Sequence, residues 1–123
     1  MRKVLIVEDD SGVRELLTEF FDMLGFDAYP AETISKALET IKDKGPFALY
    51  VLDIRLPEAD GLELAQHIRK RYQEPIIFLT GLINAETEVY AQKVPNSRYL
   101  RKPVTLETIK KVLKELGVYQ CQT

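Results

Sequence analysis

Phe47-Ala-Leu-Tyr-Val-Leu52 is the stretch on which the fold turns. A strand with one wet face alternates apolar and polar residues. An unbroken apolar run suits a strand covered on both faces, as in a parallel sheet flanked by helices. Gly45-Pro46 precedes the run, Asp53 follows it, and Leu56-Pro57 marks a loop beyond. Working outward, Lys3–Val7 and Pro75–Leu79 are two further runs of this kind, while Phe26–Tyr29 and Ser97–Leu100 are brief extended stretches. Helical spacing fills the intervals. Val13, Leu16, Leu17, Phe20, Phe21 and Leu24 form one stripe, with Ser11 as the expected cap and Gly25 as the stop. Thr33 opens a second pattern with Ile34, Ala37, Leu38 and Ile41. Asp60 and Glu63 have capping-box spacing ahead of Leu64, Ala65 and Ile68. Asn84–Val94 is a weaker pattern stopped by Pro95-Asn96. Thr105 starts a last helix with Leu106, Ile109, Val112, Leu113 and Leu116, closed by Gly117. Strand and helix alternate throughout, which predicts an α/β fold with helices on both faces of a parallel sheet.

The composition agrees. A chain of 123 residues holds one domain of ordinary size. With 17 basic and 19 acidic residues the net charge is −2, which argues against a dedicated nucleic-acid binder. Hydrophobic residues at 46% and charged residues at 29% exclude a disordered chain. The longest apolar runs fall far short of the ~18 residues that span a bilayer. The run after Arg2-Lys3 is too short for a signal-peptide core. The single cysteine, Cys121, cannot form an internal disulfide, so the expectation is a cytoplasmic protein.

Polar residues gather where the strands end. Glu8, Asp9 and Asp10 follow the first strand, Asp53 the third, Thr80 the fourth and Lys102 the fifth. Open parallel sheets bind ligands at these ends, where the strand order reverses. In an order 2-1-3-4-5, strands one and three meet at that reversal, and Glu8, Asp9 and Asp53 converge. Convergent carboxylates raise a pKa or recruit a cation. Hard oxygen donors at an open site suit Mg²⁺. Lys102 and the Thr80 hydroxyl are suited to phosphoryl oxygens. The constellation fits phosphoryl transfer to a carboxylate. Asp10 is read as a residue that favours the helix N-terminus, His67 as solvated, and Cys121 as an incidental thiol.

Val4-Leu-Ile-Val-Glu8-Asp9, Leu52-Asp53-Ile-Arg-Leu-Pro57 with Asp60-Gly61, Phe78-Leu-Thr80, and Tyr99-Leu-Arg-Lys102-Pro103 together resemble the receiver domain of two-component response regulators, over nearly the whole chain. The resemblance implies a flavodoxin-like (βα)5 three-layer sandwich with a five-stranded parallel sheet in the order 2-1-3-4-5. It implies a receiver over residues 1–117 and a tail over 118–123. Asp53 would be the phosphoacceptor for a partner histidine kinase or phosphotransfer protein. Glu8, Asp9, Asp53 and the backbone carbonyl of Arg55 would hold Mg²⁺, with no further cofactor. Lys102 would bind the phosphoryl group, Thr80 would move toward it, and Tyr99 would swing with Thr80. Lys102-Pro103 would be a cis peptide. Arg55 and Leu82 would tune the phosphoryl lifetime. The face built from the Asn84–Val94 helix, the strand after it and the last helix would change shape for a downstream protein. No direct nucleic-acid or membrane partner is implied, and the chain would be a monomer or a phosphorylation-dependent dimer. It would catalyse only its own phosphorylation and dephosphorylation.

This sequence departs from the commonest pattern at three places. Glu8 stands where aspartate is frequent, Gly81 where alanine is frequent, and Val94-Pro95-Asn96-Ser97 replaces a small glycine-containing turn. The last departure predicts that the preceding helix ends early or lies differently. Other readings are a receiver excised from a longer regulator, an aspartyl-phosphate phosphatase, and a flavin module. The phosphatase needs an acid two residues after its nucleophile, where this chain has Arg55, which is no proton donor near neutral pH. The flavin module needs a phosphate loop, where Glu8-Asp9-Asp10 repels phosphate.

Overall fold

The computed structural model describes residues 2–56, 60–81, 89 and 92–118. Its strands are β1 (Lys3–Val7), β2 (Asp27–Ala31), β3 (Leu49–Asp53), β4 (Ile76–Thr80) and β5 (Ser97–Arg101). The helices α1 (Ser11–Met23), α2 (Ile34–Lys44) and α3 (Gly61–Arg69) alternate with them, and a helix over Leu106–Leu116 follows β5. All the strand pairings are parallel, and the order is β2-β1-β3-β4-β5, as expected. The Asn84–Val94 pattern falls largely outside the described residues, as do Leu82 and Cys121.

Burial follows the sequence pattern. Every residue of β3 and β4 is buried, which is why their runs do not alternate. Successive side chains feed opposite cores. Leu5, Tyr50, Leu52, Ile76 and Phe78 pack with Ala37 of α2 and Leu64, Ala65 and Ile68 of α3. Ile6, Val51, Ile77 and Leu79 pack on the other face with Leu17 and Phe21 of α1 and with Ile109 and Leu113. Two cores, one on each side of one sheet, make three layers. The edge strands β2 and β5 are less buried, and the exposed Pro30 sits in β2, where an edge strand tolerates a missing N–H.

Local details differ from expectation in several places. The cap of α1 is Asp10, whose Oδ1 accepts from the Val13 N–H at 3.0 Å, so Ser11 is the first helical residue. Strand β2 starts at Asp27, because the Phe26 N–H still donates to the Phe21 carbonyl of α1 at 2.9 Å and the Asp27 N–H is the first to bond across to β1's side, at Arg2. Leu16 and Leu38, assigned to core stripes, are exposed, at 43% and 36%. The apolar stripe of each helix is wider than the strip the sheet covers, since α1 buries only Leu17 and Phe21. Asp60 caps α3 by accepting from the Leu62 N–H at 2.7 Å, but among the described residues Glu63 returns no bond to complete a capping box. Thr33 caps α2 as read, and Gly117 closes the last helix in the left-handed region (φ 75°). Val118, placed with the tail, packs against the second core, while residues 119–123 lie outside the described set.

Candidate functional site

The register of the sheet builds the site. Val7 lies beside Leu52 and Asp53 beside Leu79, so the residues after β1 and at the end of β3 meet at one edge. Glu8 is fully buried, Asp53 is 5% exposed and Thr80 is 6% exposed. Lys102 follows β5, and its backbone N–H donates to the Thr80 carbonyl at 2.7 Å. That bond fixes the base of the lysine, and its side chain crosses to the acids. Nζ lies 2.9 Å from Asp53 Oδ2 and 2.6 Å from Glu8 Oε1. The other oxygens are held by backbone: the Arg55 N–H donates to Asp53 Oδ1 at 3.0 Å, and the Asp10 N–H to Glu8 Oε2 at 3.1 Å. Asp9 is exposed at the mouth of the site.

Glu8, Asp9 and Asp53 each bring a carboxylate oxygen within 4.8 Å of the others. Three carboxylates against one ammonium leave negative charge, and water reaches it poorly at Glu8 and Asp53. Burial, reinforced by the neighbouring Asp53, pushes the Glu8 carboxyl up to about 7, although Lys102 and the Asp10 N–H pull the other way. Burial works against the Lys102 ammonium, but Glu8 and Asp53 outweigh it and hold the group above its ordinary value. The Lys102 contact is a close ion pair off the hydrogen-bonding direction, so the buried Glu8 Oε1 has no aligned donor. An under-served buried carboxylate oxygen among hard oxygen donors fits a small divalent cation.

The structure therefore brings together Glu8, Asp9, Asp53 and Lys102, with Thr80 at the adjoining strand end. Arg55 reaches the site through its backbone, and its side chain is exposed. Tyr99 is half-buried on β5 beside Phe78 and packs toward the α2–α3 core. Lys102-Pro103 is cis, as the resemblance implies, and Gly45-Pro46 is also cis. Asp10 serves the helix N-terminus, and His67 is exposed. One contributor escaped the sequence reading, and a second stood there without a role. Arg14 bonds the backbone of Glu8 and Asp9, and Gly61 lies against the backbone of Asp53. Nothing in the sequence marks Arg14 beyond its place one turn into α1. Gly61 was visible only as part of a motif.

Comparison with known proteins agrees with this geometry. A sequence profile of the response regulator receiver domain matches residues 4–114. The chain is 33% identical over 113 residues to the response regulator protein PilR of Pseudomonas aeruginosa, covering 91% of this chain and 25% of that protein. It is 31% identical over 118 residues to YrkP of Bacillus subtilis, described as an uncharacterized transcriptional regulatory protein, covering 95% and 50%. It thus spans a quarter and a half of the lengths of these relatives. Among solved structures, the chemotaxis protein CheY4 of Vibrio cholerae superposes with a TM-score of 0.87 at 27% identity, covering 94% of this chain and 98% of that one. The response regulator TrrA of Thermotoga maritima, in complex with Mg(2+)-BeF, gives 0.82 at 31% identity, covering 94% and 99%. The chain belongs to the response regulator receiver domain family, with the flavodoxin-like fold of its chemotaxis-regulator neighbours. It is a receiver domain of two-component signalling, a class that works with histidine kinases and effectors. Among the described residues no helix is long and apolar enough to cross a membrane.

Proposed function

We propose that Asp53 accepts a phosphoryl group from a histidine kinase or phosphotransfer partner, and that the chain passes this state to a downstream protein by contact. The observation that carries the reading is the Lys102 ammonium seated between Glu8 and Asp53, at 2.6 and 2.9 Å. Glu8, Asp9, Asp53 and the backbone carbonyl of Arg55 would hold Mg²⁺. Bound there, the ion offsets the carboxylate charge and that of the incoming phosphoryl oxygens. In the transfer, the phosphorus–nitrogen bond of a phosphohistidine breaks as an Asp53 oxygen forms a bond to phosphorus, and the imidazole leaves with a proton. Lys102 exchanges Asp53 Oδ2 for a phosphoryl oxygen. The Thr80 hydroxyl donates to another, and Tyr99 follows the space that Thr80 vacates. Water later cleaves the acyl phosphate, returning the carboxylate and inorganic phosphate. A new dianion then biases a two-state surface. The reaction is confined to the protein's own aspartate, so the chain is a switch and not an enzyme acting on separate substrates. A cytoplasmic location goes with this reading. The same switch serves a free-standing receiver and one joined to an output domain.

The test is labelling with acetyl phosphate. Wild type takes up one hydroxylamine-sensitive phosphate per chain, only with Mg²⁺, and Asp53→Asn takes up none. Equal labelling of the mutant would end the assignment.

A further inference from the structure

The turn from β1 to α1 carries two of the three carboxylates, yet they are supported unequally. Glu8 is buried, its Oε2 accepts from the Asp10 N–H, and its Oε1 lies in close ion contact with Lys102 without an aligned donor. Asp9 is exposed, and among the described residues its carboxylate has no hydrogen bond or ion pair. Where Asp9 points is therefore set by its backbone. Arg14 controls that backbone. Its Nη1 donates to the Glu8 carbonyl at 2.9 Å and to the Asp9 carbonyl at 3.2 Å. Its own N–H donates to the Asp10 carbonyl at 2.9 Å. The guanidinium thus holds two consecutive carbonyls of the acidic turn, and the third is held by the first backbone bond of α1, which any residue at this position would make. The turn is fastened on its other side by the Glu8 N–H on Ala31 and by the Asp10 cap on Val13. Charge-assisted bonds are stronger than neutral ones, and a guanidinium nitrogen directs its two protons in fixed directions.

We propose that Arg14 is a positioning residue that aims the Glu8–Asp9 turn and so sets the affinity of the three-carboxylate site for a divalent cation. The proposal rests on the reading above that this site holds Mg²⁺. It makes a prediction of sign. A cation beside the site repels a dication, so if Arg14 acted by charge alone, removing it would tighten Mg²⁺ binding. If Arg14 acts by aiming the turn, removing it weakens binding.

The experiment is a calorimetric Mg²⁺ titration of wild type, Arg14→Met and Arg14→Lys, with acetyl-phosphate labelling measured across the same Mg²⁺ range. Losing a group that orients a metal ligand commonly costs affinity about tenfold or more. Arg14→Met is expected to raise the Mg²⁺ dissociation constant about tenfold, and Arg14→Lys, which keeps the charge with shorter reach, by less. Labelling at saturating Mg²⁺ returns to within about twofold of wild type, because Asp53, Lys102 and Thr80 are untouched. An unchanged or tighter constant in Arg14→Met overturns the proposal, as does labelling that stays depressed at saturation. If Arg14→Met does not fold, Arg14→Lys decides: about threefold weaker binding supports the proposal, and wild-type affinity overturns it. Wild type that binds no Mg²⁺ at all refutes the underlying reading instead.

Discussion

Gly61 lies where the polypeptide, having left β3 after Asp53, returns as α3. A methyl group at this position would sit 2.1 Å from the Asp53 carbonyl oxygen, 3.0 Å from the Asp53 carbonyl carbon and 3.1 Å from Ile54 Cα. All three are backbone atoms, so no side chain can rotate away. Carbon–oxygen contacts without a bond lie at about 3.3 Å or beyond, so Gly61→Ala demands a shift of roughly 1 Å. The turn resists it, because the Gly61 N–H donates to the Ile54 carbonyl at 2.7 Å and Asp60 caps the helix beside it. The strain falls on Asp53, whose Oδ2 must stay 2.9 Å from Lys102. Overpacking of this kind costs about 1–3 kcal/mol, and a misplacement of about 1 Å can slow chemistry by roughly 100-fold. Urea denaturation should show the stability loss, and acetyl-phosphate labelling at saturating Mg²⁺ should show the rate loss in a chain that keeps its circular dichroism. Wild-type labelling together with a loss below about 0.5 kcal/mol would refute the reasoning.

Other substitutions test other parts of the structure. Tyr50 is fully buried, its hydroxyl has no hydrogen-bond partner among the described residues, and burial pushes the phenol above its ordinary range. Tyr50→Phe should therefore stabilise the chain by about 1 kcal/mol in urea, and a loss of stability would contradict this account. The pH dependence follows from Glu8, whose folded pKa of about 7 exceeds the ordinary 4.5. Between these values the folded chain keeps a proton that the unfolded chain releases. The contribution is complete below about 4.5 and is lost as the pH rises through about 7, a change on the order of 3 kcal/mol without Mg²⁺. Glu8→Gln should flatten that slope, and identical slopes in the two proteins would contradict it. Lys102 does not interfere, because a group raised above 10.5 keeps its contribution until the pH passes that value.

The sheet was legible because burial on both faces writes itself into a run such as Leu49–Leu52, and because Gly and Pro punctuate the gaps. Strand order was not in the pattern itself: the family resemblance implied 2-1-3-4-5, and that order brings Glu8 and Asp53 to adjacent strand ends, as the structure shows. Legibility failed where geometry decides at the scale of one residue. Ser11 and Asp10 are both good caps, and only the backbone at Asp10 shows which side chain reaches the Val13 N–H. Leu16 and Leu38 match the helical period but lie beyond the strip the sheet covers. Arg14 was unreadable for a different reason. It acts on carbonyls, which every residue has, so no residue type in the turn announces the contact. Gly61 was legible only as part of a motif, and its role comes from close approach to the Asp53 backbone and not from a positive φ.

Lys102 has a mechanical meaning as well as a chemical one. Parallel strands have no hairpins to join their adjacent ends, so this edge of the sheet has few fasteners. One residue supplies several at once: its backbone joins the ends of β5 and β4, and its ammonium joins those of β1 and β3. It works as a tie rod anchored at one end and loaded at two points on the other. Charge placed on Asp53 changes the tension in that rod, so the disturbance is shared at once by four strand ends and need not travel outward from one.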